Sequence, residues 1–177
     1  MDNPSFYELV KEHLNQPEYL HALLRVFPVE GLSLGMFALV ISFFQKSRAA
    51  QITALVLICL CAASAYPVVR LGEQAYDVIE PKSSDAALAW LDAHAQRAEK
   101  ALIVFYTLTG VSFLALMVPL KYPKSATPLA VLTLAVAIAA MGAGMWISYA
   151  GGQIRHSEFR YGTPPEQLGG YDKMMKH

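Results

Sequence analysis

Charge is scarce in this chain. Asp, Glu, Lys and Arg make up 16% of its 177 residues, where soluble domains carry about 25%. That scarcity argues against a soluble enzyme. Neither sign is in excess, since 14 Lys and Arg balance 14 Asp and Glu. There is no basic surplus for nucleic acid, and none is expected as a partner. Cysteine is almost missing. Cys59 and Cys61 alone build no disulfide framework and read as small buried apolar residues. Also absent are HExxH, CxxC, CxxCH and any nucleophile–base motif. As an isolated chain the protein is therefore not expected to be an enzyme. No charged path crosses the apolar segments, and no helices are interrupted at corresponding mid-membrane depths, which argues against a transporter.

What is present is apolar. Hydrophobic residues reach 55% and mean hydropathy is +0.35. A bilayer core of about 30 Å needs roughly 20 apolar residues in a helix. Four segments qualify: Val26 to Phe44, interrupted by Glu30; Ala49 to Val69; Ala101 to Leu120; and Ser125 to Ile154. They are too long and continuously apolar for barrel strands. The expected fold is an all-α integral membrane four-helix bundle. An amphipathic segment over 1–16 precedes it, with Phe6, Leu9, Val10, His13 and Leu14 at helical spacing, to lie on the interface or pack as a terminal helix. The four-helix domain covers 17–160, and an irregular arm 161–177, rich in Pro and Gly, follows.

Four spans put both termini and the 70–100 connection at one end of the bundle. All 14 acids and all five histidines fall at that end. The two short opposite loops hold Lys46, Arg48, Lys121 and Lys124 and no acid. The positive-inside rule makes those loops cytoplasmic. The expected location is a bacterial inner membrane, with the termini and the 70–100 loop periplasmic.

Pro28 and Pro67 each remove a backbone donor near the outer end of a span, so a bend is expected at both. Residues 71–81 read as mixed structure. Pro81 to Asp85 then reads as a turn and N-cap, from which a helix runs into the third span as an external extension. Trp90 on that extension is expected to face the interface or a partner. Ala140, Gly144, Ser148 and Gly152 form a small-residue stripe for close helix packing or for a flat cofactor.

Three histidines lie at similar height, His21, His94 and His156, roughly 3 to 10 Å beyond the membrane edge. Imidazole is the commonest metal ligand and a standard haem ligand. His21 and His94 are the first candidates for holding a cofactor, haem b or a transition metal, with His156 a third metal ligand. Arg25, Glu30, Glu73, Arg97, Arg155 and Glu158 supply a polar network around them. Glu30, an ionisable group inside a span, is expected to pair with Arg25, Arg70 or Arg155 or to handle a proton.

The segments HALLRVFP at 21–28, HAQRAEKAL at 94–102 and AGGQIRH at 150–156 carry a resemblance. They are similar to a family of bacterial four-helix membrane proteins known as a domain of unknown function, some joined to or encoded near Rieske-type ferredoxins. The resemblance covers residues 20–160. It implies a redox setting and marks His21, Phe27, Pro28, His94, Gly151 and Gly152 as family-like positions. The family often has a further histidine just before Phe-Pro, where this chain has Val26. His156 would then replace that ligand.

Two functions follow. One is a membrane-anchored redox or metal- or haem-binding protein with its histidine site at the outer mouth of the bundle. The other is a cofactor-free accessory subunit of a larger membrane electron-transfer complex. Expected partners are the lipid bilayer and other membrane subunits, or a second copy of the chain.

Overall fold

The structure is a computed structural model and describes residues 5–162 and Pro165. It is all-α, with no strand among the described residues. Four helical stretches are long and apolar enough to cross a membrane: Pro17–Gln45, Arg48–Lys82, Asp85–Leu120 and Pro123–Arg155. Most of the arm expected over 161–177 falls outside the described residues.

Helix α1 (Phe6–His13) opens with a capping box. The Glu8 amide donates to Ser5 Oγ at 3.3 Å, and the Ser5 amide donates to Glu8 Oε2 at 2.8 Å. That second bond holds the Glu8 carboxyl below its ordinary range. No residue of α1 is buried, and Phe6 and Tyr7 are largely exposed.

The first span is not one continuous helix. Helix α2 (Pro17–Leu24), with Pro17 at its first turn, leads into a π-helical turn, Phe27–Gly31, and then α3 (Leu32–Gln45). Pro28 has no amide to return to Leu24, so the ladder widens there. The expected disturbance at Pro28 takes the form of this widened turn. The second span also divides, into α4 (Arg48–Ala63) and α5 (Ala65–Ile79), at Ser64 just before Pro67.

Residues 70–100 are not a loop. Helix α5 continues to Ile79, a 3-10 turn covers Glu80–Lys82, and α6 (Asp85–Met117) starts at once. Charged residues on 70–79 disguised a helix with one packed face. Ala75 and Tyr76 are buried, and Tyr76 donates to Asp92 of α6 at 2.6 Å. Trp90 is correspondingly buried rather than partner-facing, at 5% exposure. The extension of α6 is thus held against α5. Helix α7 (Ala126–Arg155) completes the bundle.

The core is built from Leu32, Leu39, Leu55, Ile58 and Leu108, with alanines at 54, 62, 115, 130, 137 and 140. In lipid, helices gain little from hiding apolar surface from each other, so close van der Waals fit must hold them. The alanines permit that fit. Cys61 is part of this core, its Sγ lying 2.7 Å from where a Cβ on Gly31 would stand. Large apolar side chains such as Phe37, Phe44, Ile103, Leu120, Ile138 and Met145 point outward. Such a surface on all spans suits acyl chains and would be a liability in water.

At the end bearing Lys46, Arg48, Lys121 and Lys124 the connections are tight. Lys46 adopts a left-handed conformation with φ 50°, and Ser47 caps α4 by accepting from the Ala50 amide at 3.2 Å. Arg48 hydrogen-bonds Gln51 and reaches the Ala115 carbonyl of α6.

A candidate histidine site

The opposite end of the bundle opens into a cavity of about 510 Å³. His21 and His94 both line it. Their ring centres are 6.3 Å apart and their planes are nearly perpendicular, at 88°. Helices α2 and α6 bring them together from residues 73 positions apart.

Each ring sits in the same kind of seat. His21 Nδ1 lies 2.8 Å from the Val68 carbonyl oxygen of α5. His94 Nδ1 lies 3.1 Å from the Ile147 carbonyl oxygen of α7. A carbonyl only accepts, so Nδ1 carries the proton in both rings. In the neutral ring, Nε2 is then left with its lone pair, the tautomer a metal ligand needs. Four residues beyond each carbonyl, one turn along the same face, stands a glycine. A Cβ on Gly72 would lie 3.0 Å from Cε1 and 3.1 Å from Nδ1 of His21. A Cβ on Gly151 would lie 3.1 Å from both Cε1 and Nδ1 of His94. The missing side chain is what lets each imidazole lie against the neighbouring helix. The two helix pairs, α2 with α5 and α6 with α7, thus repeat one local arrangement.

The third histidine is not part of the pair. After α7 the chain turns back in a 3-10 turn, Ser157–Phe159. Arg160 donates to the Gln153 and Ile154 carbonyls at 2.7 and 2.8 Å and caps the helix end. His156 is drawn into this turn. It bonds Glu158 Oε1 at 3.0 Å, stacks on Phe159 at 4.9 Å, and is exposed at the cavity rim. Its own backbone amide and His156 hold the Glu158 carboxyl below its ordinary range. Among the described residues no group of three His, Cys, Asp or Glu is placed to hold a metal ion. The expected three-histidine metal site is therefore not assembled, because the turn after α7 diverts its third member.

The polar network divides likewise. The Arg25 and Arg155 side chains line the cavity and make no hydrogen bond or ion pair to another described residue. Arg97 is engaged elsewhere, donating to the Trp146 carbonyl at 3.0 Å with its guanidinium 4.9 Å from the Trp146 ring centre. Glu73 pairs with Arg70 at 2.6 Å. Glu30 forms no ion pair among the described residues and does not line the cavity. The wide turn leaves it exposed, with its carbonyl accepting from Ser33. The expected pairing with Arg25, Arg70 or Arg155 does not occur.

Four contributors escaped the reading of the sequence. The Val68 and Ile147 carbonyls belong to the backbone and carry no residue signature. Gly72 carried a findable one, being spaced from Val68 as Gly151 is from Ile147. Glu18 also lines the cavity, and its Oε2 is buried without a partner. It stands three residues before His21, hence on the same helical face.

These features define a class: a four-helix membrane protein with a pair of buried-edge imidazoles at one mouth of its bundle. No family model, curated protein or solved structure matches the chain.

Proposed function

We propose that the protein is a membrane-anchored redox protein that holds a metal-containing cofactor between His21 and His94. The observation carrying this reading is the pair of rings whose Nδ1 atoms are each spent on a backbone carbonyl. A purely structural histidine has no need for its second nitrogen to stand free in a shared cavity. Here two do so, with ring centres 6.3 Å apart, each ring seated on the helix packed beside its own. Bundle mouths built from facing helices are common hosts for such centres.

The distribution of charge supports an orientation. The histidine end carries the acids, and the opposite loops carry Lys46, Arg48, Lys121 and Lys124. By the positive-inside rule the site faces the periplasm of a bacterial inner membrane. A redox role also agrees with the resemblance of the segments at 21–28, 94–102 and 150–156 to a family with a redox setting.

The test is elemental analysis and an optical spectrum of the chain purified in mild detergent. A transition metal is expected at one per chain, and His94→Ala is expected to remove it while the protein remains helical. A folded, metal-free chain that stays metal-free after reconstitution would sink this reading. The bet would then move to a cofactor-free accessory subunit, and His94→Ala would impair assembly alone.

A further inference from the structure

Resting on that reading, we infer that the cofactor is a b-type haem, standing between His21 and His94 as its two axial ligands, with its carboxylates turned outward to Arg25 and Arg155. Three independent observations converge on it.

The first is spacing. A metal–imidazole bond is about 2 Å, and a ring centre lies about 1.1 Å beyond its nitrogen, so two rings on opposite sides of one metal have centres about 6.2 Å apart. The observed separation is 6.3 Å.

The second is ligand count. A bare zinc or similar ion takes three or four protein ligands. This cavity pairs two imidazoles, and although Glu18 and His156 also line it, no group of three His, Cys, Asp or Glu among the described residues is placed to hold a metal ion. A porphyrin brings four nitrogens of its own, so two axial histidines complete the metal.

The third is the shape and polarity of the cavity. Its volume of about 510 Å³ is in the range of ligand sites for molecules of this size. The lining is largely apolar, with Val68, Ala98, Leu102, Phe105 and Ile147 among it. Only the rim is cationic. Arg25 and Arg155 stand there with no protein partner, as carboxylate-binding groups should. When bound, such a haem supplies a one-electron iron couple, and the chain supplies ligation, orientation and a largely apolar surround.

The nearly perpendicular ring planes make the inference testable beyond colour. The full chain, purified in mild detergent, is titrated with hemin. One hemin per chain is expected, giving a six-coordinate low-spin spectrum. Its EPR signal is expected to be strongly anisotropic, with a largest g value above that of a parallel bis-imidazole haem. His21→Ala and His94→Ala are each expected to give a high-spin haem that external imidazole returns to low spin. That rescue separates lost ligation from lost folding. His13→Ala, on α1, keeps the wild-type spectrum.

Arg25→Gln combined with Arg155→Gln is expected to weaken hemin binding roughly fivefold, as for exposed ion pairs. The same change should leave hemin dimethyl ester, which lacks the carboxylates, unaffected. A low-spin spectrum that survives both histidine substitutions overturns the assignment, as does a signal of the parallel type. Stoichiometric copper in a chain that binds no hemin overturns the haem assignment and leaves the broader redox-metal reading standing, whereas stoichiometric zinc, which has no redox chemistry, overturns both. A chain that takes neither overturns both.

Discussion

The two halves of the bundle solve one problem with different helices. In the second half, His94 rides on α6, which runs unbroken for 33 residues. In the first half, His21 rides on α2, only eight residues long, and the ladder widens into a π turn at Pro28 just beyond it. Their seats are nonetheless alike, with a carbonyl for Nδ1 and a glycine one turn on. Neither the helix nor its continuity is shared. What is shared lies within one turn of each ring. The demand for symmetry therefore comes from the cavity, and the spans below are free to differ.

Substitution at the two glycines is the sharpest way to break this likeness. Leucine at either position must displace the imbedded ring, and overpacking a tight site costs about 1–3 kcal/mol. Gly151→Leu is expected to abolish metal or haem occupancy. Gly72→Leu should reduce it less, because α2, hinged at Pro28, can shift where the continuous α6 cannot. Occupancy per chain, measured on protein matched for helicity, checks this order. Equal loss in the two variants would refute the role given to the hinge.

A smaller effect is expected from Tyr76→Phe, which removes the 2.6 Å bond joining the outer extensions of the two halves. Losing it from a buried site should cost about 1–2 kcal/mol. A lower thermal midpoint in detergent would record it. Occupancy should fall much less than in the glycine variants, since neither histidine seat is touched.

The smallest effect belongs to His156, the histidine outside the pair. Glu158 has a lowered carboxyl pKa, so its contribution is present above the ordinary carboxylate value of about 4.3. That contribution is lost as pH falls through the lowered value. Glu158→Gln should flatten the acid limb of the thermal midpoint slightly. The spectrum of the site is expected to stay as it was.

The spans were legible because uncharged runs of about 20 residues in lipid have few other readings. The disturbed ladder at Pro28 was legible too, since a missing amide acts wherever its helix goes. Residues 70–79 were misread because they carry charge. Glu73 pairs with Arg70 on the exposed side, while Ala75 and Tyr76 on the other side pack. A one-dimensional charge count mixes those two faces. His21 and His94 could be named as candidates by type and height. Their pairing depended on backbone carbonyls at 68 and 147, which have no letter of their own. His156 had the same type and height, and local contacts with Glu158 and Phe159 took it away.

The position of the cavity has a consequence for traffic. From His94, α6 descends to Met117, roughly 35 Å at helical rise, alongside a core of leucine, isoleucine and alanine. Every described histidine sits at the same end of the bundle, so no described histidine waits below as a stepping-stone. On the proposed redox reading, an electron placed on the pair would be far beyond easy tunnelling reach of the opposite face. It would leave through the side by which it came. The bundle beneath would then serve as an insulating post, and the protein as a terminal on one side of the membrane rather than a wire across it.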